Sequence, residues 1–215
     1  MHDHTASESF GAKTTPTRSA SQWTGTMLRD LRNWAGRRPM TLPEGQQPIP
    51  HSSDARIIVW AFAGTDLVTG LIIDAMLPPV GRAIHLLWVV LSLGLSLGFC
   101  AMTARSPHLL HSANLRLRTG PFRELTIPVT ALATARVAHG LTNGYGLRRV
   151  ETVENDAVAC SVGRTTNLVI DLDEPLSVRV RKGGPVLARR IYAHADKPSE
   201  AAGLINRAAT RGAQS

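Results

Sequence analysis

Two carboxylates standing in an apolar run are the first residues of this chain that could do chemistry. Asp66 lies near the middle of the run 57–77 and Asp74 near its end. A charged group at the centre of a bilayer costs on the order of 3 kcal/mol unless it is paired or protonated, so an intramembrane acid is a candidate site by default. One reading makes Asp66 part of a proton or ion path in an oligomer. The other makes it a neutral carboxyl hydrogen-bonded to Ser92 or Ser96 of the following apolar run, or to a second subunit. Neither run brings a base to Asp66, which favours the second reading.

The remaining constellations are poorer. His108 and His111 are three apart in PHLLH, a metal-binding spacing on a helix, but Pro107 disturbs that register and no Cys or acid completes a site. Anchoring at the membrane interface is the plainer role for them. His2 and His4 have no scaffold around them. The stretch 140–146, GLTNGYG, lacks the Lys-Ser/Thr of a phosphate-binding loop and the strand-to-helix setting of a dinucleotide site, so it reads as a hairpin loop around Asn143-Gly144. Asp171, Asp173 and Glu174 do not match the oxygen spacing of a calcium loop and read as a solvated turn. Cys100 and Cys160 have no neighbouring His to activate them and suggest no disulfide framework. These residues point to no catalytic group, no metal site and no cofactor, and hence to a non-enzymatic protein.

Basic residues are the more informative set. The chain carries 24 Lys and Arg against 16 Asp and Glu, and 105–215 holds +7 of the net +8. Arg148 and Arg149 follow the glycine-rich loop, Arg179, Arg181 and Lys182 lie on one expected strand, and Arg189 and Arg190 on the next. Arg179 and Arg181 share a strand face opposite Val178 and Val180. Together these arginines form a candidate contact surface for anionic headgroups or an acidic partner, with a solvated sheet face as the plainer alternative. Nucleic acid is disfavoured as a partner, because the charges alternate along strands instead of clustering on a helix.

The elements that must position these residues fall into three parts. Residues 56–104 hold two apolar blocks of about 20 residues, each long enough to cross a bilayer, joined by PPVGRA. They predict a transmembrane α-helical hairpin, with Gly94 and Gly98 spaced for close helix packing within the hairpin or in a homodimer. Arg37, Arg38 and Arg56 precede it and Arg105, Arg116 and Arg118 follow, against Arg82 alone in the connection. Both termini are therefore expected on the cytoplasmic side of a bacterial inner membrane. No N-terminal signal peptide is visible in the first 22 residues. Residues 1–55 are expected to be a disordered tail and a proline-containing linker, interrupted by a helix over 23–35. There Trp23, Met27, Leu31 and Trp34 share one face, suited to the headgroup layer. Residues 105–215 change to strand periodicity, with about seven strands and then a helix whose N-cap is expected to be Asp196, ahead of a disordered C-terminal end.

Several short stretches resemble a known group. Ser106-Pro107-His108, the LRLRTG of 115–120, Ile127-Pro128, the NLVIDLDEP of 167–175 and Asp196-Lys197-Pro198 look like the corresponding stretches of bacterial membrane proteins in which a two-helix hairpin precedes a pleckstrin-homology-like (PH-like) domain. The resemblance covers about 56–207. It implies an α+β domain: an antiparallel PH-like β-barrel or sandwich closed by a C-terminal helix. The implied function is to present that domain to the lipid bilayer or to another membrane protein, with no catalytic motif.

Overall fold

The computed structural model describes residues 20–121, 123–142, 144–150, 157–180 and 184–214. Helix α1 (Ala20–Ala35) comes first, then the short strand β1 (Gln47–Ile49). The two apolar blocks form α2 (Ser53–Met76) and α3 (Pro79–Ala104), 24 and 26 residues long. At 1.5 Å per residue they measure about 36 and 39 Å, enough to cross a bilayer by length and composition. Pro79 starts α3 at a first-turn position where its missing N–H costs nothing. Gly70 lets the helices close, since a Cβ there would sit 2.8 Å from Val89 Cγ2.

Among the described residues there are nine strands, β1 included, with β2 (His108–Leu110), β3 (Asn114–Arg118), β4 (Glu124–Pro128), β5 (Leu132–Leu141), β6 (Gly146–Arg149), β7 (Ala157–Ser161), β8 (Thr165–Arg179) and β9 (Pro185–Ala193). One sheet runs β1-β2-β3-β4 and the other β5-β8-β9-β7-β6. A final helix, α4 (Pro198–Gly212), packs on β5. Leu115, Leu117, Leu125 and Ile127 of the first sheet share one core with Leu168, Ile170 and Ile191 of the second and with Ile205 of α4. Alternation produces this: Leu115 and Leu117 face inward while Arg116 and Arg118 face Glu124 across the β3–β4 pair, at 3.6 and 2.9 Å.

Four expectations need correction. Both sheets are open, so the domain is not a closed barrel. It is not wholly antiparallel either, because β9 returns between β8 and β7 and runs parallel to β7. The stretches 167–173 and 175–179, expected to lie in two separate strands, belong to the single 15-residue β8. A register shift between Asp171 and Leu176 accommodates Pro175 within it, as a bulge does. Finally, the linker contains β1, which pairs with β2 through Gln47↔Leu110 and Ile49↔His108. Three residues are too few to show a strand period, and β1 owes its form to the β2 edge it covers. Helix α4 continues to Gly212.

Helix α1 packs along α3. Met27 is buried and fills the space over Gly98, where a Cβ would come within 2.6 Å of the Met27 side chain. Trp34 of α1 stacks at a tilt on Trp60 of α2, with ring centroids 6.3 Å apart. Gly98 therefore receives α1, whereas a Cβ at Gly94 would meet nothing within 4 Å. Cys100, Ala101, Met102 and Thr103 at the end of α3 are fully buried in protein.

Candidate functional site

The densest polar cluster lies where the helical hairpin meets the sheets. His51 and His108 stack edge to face with centroids 4.1 Å apart. The backbone of Arg118, at the end of β3, engages both rings. Its N–H donates to His108 Nδ1 at 2.9 Å, and its carbonyl lies 2.7 Å from His51 Nε2. A carbonyl only accepts, so His51 carries its proton on Nε2 and accepts the Ser52 hydroxyl on Nδ1 at 2.8 Å. By the same logic His108 donates from Nε2 to the His194 carbonyl at 3.0 Å. Both rings are neutral and fully used. Burial lowers the pKa of each, that of His108 strongly, with the neighbouring His51 adding to the effect.

Around this pair the domain closes on the first turn of α2. Asp196 Oδ1 accepts from the Ser53 N–H at 2.9 Å, and Asp196 Oδ2 lies 3.5 Å from the Arg56 guanidinium. Arg56 also donates to the His51 carbonyl, and the Asp196 N–H donates to the Pro50 carbonyl. His194 Nε2 sits 3.3 Å from Asp54, while its buried Nδ1 has no hydrogen-bond partner. Ser52 holds a left-handed backbone, φ 73°, which a non-glycine residue adopts only where its surroundings enforce it. A cavity of about 10 Å³, room for roughly one water, lies between Asp54, Ala55, Cys160, Thr165 and His194. Burial pushes the Cys160 thiol up to about 12, which removes it as a nucleophile near neutral pH.

Sequence reasoning missed most of this cluster. His108 was assigned to the membrane interface; it is buried in the junction, on a strand, with both nitrogens bonded to backbone. Asp196 was expected to cap α4, but that helix has Lys197 at its N-cap with no side-chain cap bond, and Asp196 caps α2 instead. His51 and Ser52 sat in the presumed linker, and no local signal marked them.

Asp66 accepts a hydrogen bond from Ser92 Oγ at 3.1 Å, across the two helices of the hairpin. Asp74 lies 3.7 Å from both Arg82 and His85 at the far end of the hairpin.

Two of the candidate arginines are engaged by groups of the domain itself. Arg190 pairs with Asp171 at 2.6 Å, and Arg136 approaches the same carboxylate at 3.5 Å. Arg148 folds back to donate to the Tyr145 carbonyl at 2.8 Å. Arg149, Arg179 and Arg189 are exposed. Arg181, together with Lys182, His2, His4 and Asn143, lies outside the described residues. Position matters more than pairing here. Ala193 is at the junction end of β9, and Arg179 pairs with Pro185, eight residues away. At 3.3 Å per residue that puts Arg179 about 26 Å along β9 from its junction end.

Comparison of the chain with family models, with curated proteins and with solved structures returns no match.

Proposed function

We propose that this is a non-enzymatic, membrane-anchored interaction protein whose two-helix hairpin holds the α+β domain against the cytoplasmic leaflet. The observation that carries the reading is the junction itself. Asp196 and Arg56 bind the start of α2 to the domain, and the end of α3 is buried in protein, so anchor and domain are coupled through a built joint and not through a loose tether. The PH-like character of the domain enters from its short motifs.

Of the two partners expected for the arginines, a membrane protein suits Arg179 and Arg189 better than lipid headgroups. Arg179 is at the end of the β8–β9 hairpin remote from Ala193, and Arg189 is exposed about midway along β9. The test is photocrosslinking in native membranes from Leu187, an exposed residue of that hairpin. A discrete protein adduct, lost in Arg179→Glu or Arg189→Glu, is expected. A lipid adduct, or a protein adduct indifferent to both charges, would overturn the reading.

A further inference from the structure

The end of the domain beside α2 carries exposed apolar side chains that the fold leaves uncovered. Leu141 closes β5 at 82% exposure, and Tyr145 precedes β6 at 61%. Both are tied to the turn between β7 and β8. Leu141 pairs with Thr165, the Thr142 N–H donates to the Arg164 carbonyl at 2.7 Å, and the Thr142 hydroxyl donates to the Gly144 carbonyl at 2.9 Å. Gly163 and Thr165 of that turn line the same small cavity as Asp54 and Ala55 of α2. Leu141, Tyr145 and Arg164 therefore stand at the level where α2 leaves the domain, two residues before the exposed Ile57.

The turn at Tyr145 is braced from behind. The Arg148 guanidinium donates to the Tyr145 carbonyl and covers Gly144 so closely that a Cβ there would lie 2.5 Å from Nη1. Arg164 is exposed at the same end. An aromatic and an aliphatic side chain with cations around them match a membrane interface, where tyrosine rings sit at headgroup depth and basic groups meet anionic lipid.

We infer that Leu141, Tyr145 and Arg164 form a second membrane contact, inserting into the interface of an anionic bilayer beside the hairpin. Together with the hairpin this contact fixes the tilt of the domain on the membrane, leaving the far end of β8 and β9 for a partner. The inference rests on the hairpin spanning that bilayer.

The test uses the full chain bearing an environment-sensitive fluorophore at Thr165→Cys, reconstituted in phosphatidylcholine vesicles with and without phosphatidylglycerol and with nitroxide near the headgroups. Cys100 and Cys160 are buried, and the unsubstituted chain sets the labelling background. Expected are blue-shifted emission and several-fold stronger quenching than for the same label at the distant Leu187→Cys. Removing phosphatidylglycerol, substituting Arg164→Glu, or combining Leu141→Asp with Tyr145→Asp should each weaken the quenching. Water-like emission at position 165, or a blue shift without lipid quenching, which marks protein contact, would overturn the inference. A third label at Val90→Cys, exposed in mid-α3, separates the two failures. If position 90 is quenched by deep nitroxide while 165 is aqueous, the loop contact alone is wrong. If position 90 is itself aqueous, the spanning hairpin is wrong.

Discussion

Asp196 and Ser53 are separated by 142 intervening residues, yet the Asp196 carboxylate accepts the Ser53 N–H at 2.9 Å and thereby caps the first turn of α2. An acidic group there satisfies an orphan donor and meets the positive end of the helix dipole. Replacing it should cost about 1–2 kcal/mol, the range of a lost cap plus a partly exposed ion pair. Asp196→Ala is therefore expected to lower the unfolding midpoint in detergent. Asp196→Asn, which keeps the acceptor, should recover part of the loss. Equal midpoints for all three proteins would show that the cap carries no stability.

The paired histidines predict an acid-labile junction. Their folded pKa values lie below the ordinary 6.5, so around and below that pH the unfolded chain binds protons that the folded chain does not. Stability contributed by the neutral rings is complete above about pH 6.5 and declines as pH falls towards the lowered folded values. Unfolding midpoints measured from pH 8 to 5 should fall, and the slope should flatten in His51→Gln. An unchanged slope would place the acid sensitivity elsewhere.

The space over Gly98 predicts the fate of α1. Gly98→Leu puts branched carbon where Met27 lies and should release α1, so that its backbone can unwind and be cut by trypsin after Arg29 and Arg32. Gly98→Ala should be milder, because the Met27 side chain can shift. Identical cleavage in the native chain and in Gly98→Leu would mean that α1 does not depend on this contact.

Asp66 offers a test of the transport alternative. An interhelical hydrogen bond in a membrane averages about 0.6 kcal/mol, so Ser92→Ala and Asp66→Asn should each change stability little. If Asp66 is only a packing group, Asp66→Asn will leave ion or proton flux across reconstituted vesicles at the native level. A native flux abolished by that substitution would restore the transport reading.

Cys160 should be inert. With its thiol at about 12, maleimide at pH 8 is expected to leave it unmodified in the folded protein and to label it on denaturation. Mass spectrometry before and after denaturation reads this directly.

Some of this architecture was legible along the chain because it rests on local periodicity. The apolar runs behind α2 and α3, the Leu/Arg alternation of β3, and the shared face of Trp23, Met27 and Trp34 are patterns that a period of 3.6 or 2 imposes. An acid in an apolar run calls for a nearby donor, but whether Ser92 or Ser96 supplies it for Asp66 is decided only by the packing of the two helices. Arg190 was less legible. Its pairing with Asp171 depends on which strand lies beside which, and alternation says nothing of that.

By itself the sequence determined two long apolar helices, a strand-rich basic segment after them and a closing helix, because burial of apolar faces leaves a local signature. Only the tertiary structure decided that the sheets are open, that β1 joins them, that Asp196 caps α2 and that His51 meets His108. It also set Arg179 far from the junction end of β9 and Leu141 and Tyr145 beside the base of the helical hairpin. Contacts between residues far apart in the chain leave no periodic trace, and their geometry exists only once the strands are in register.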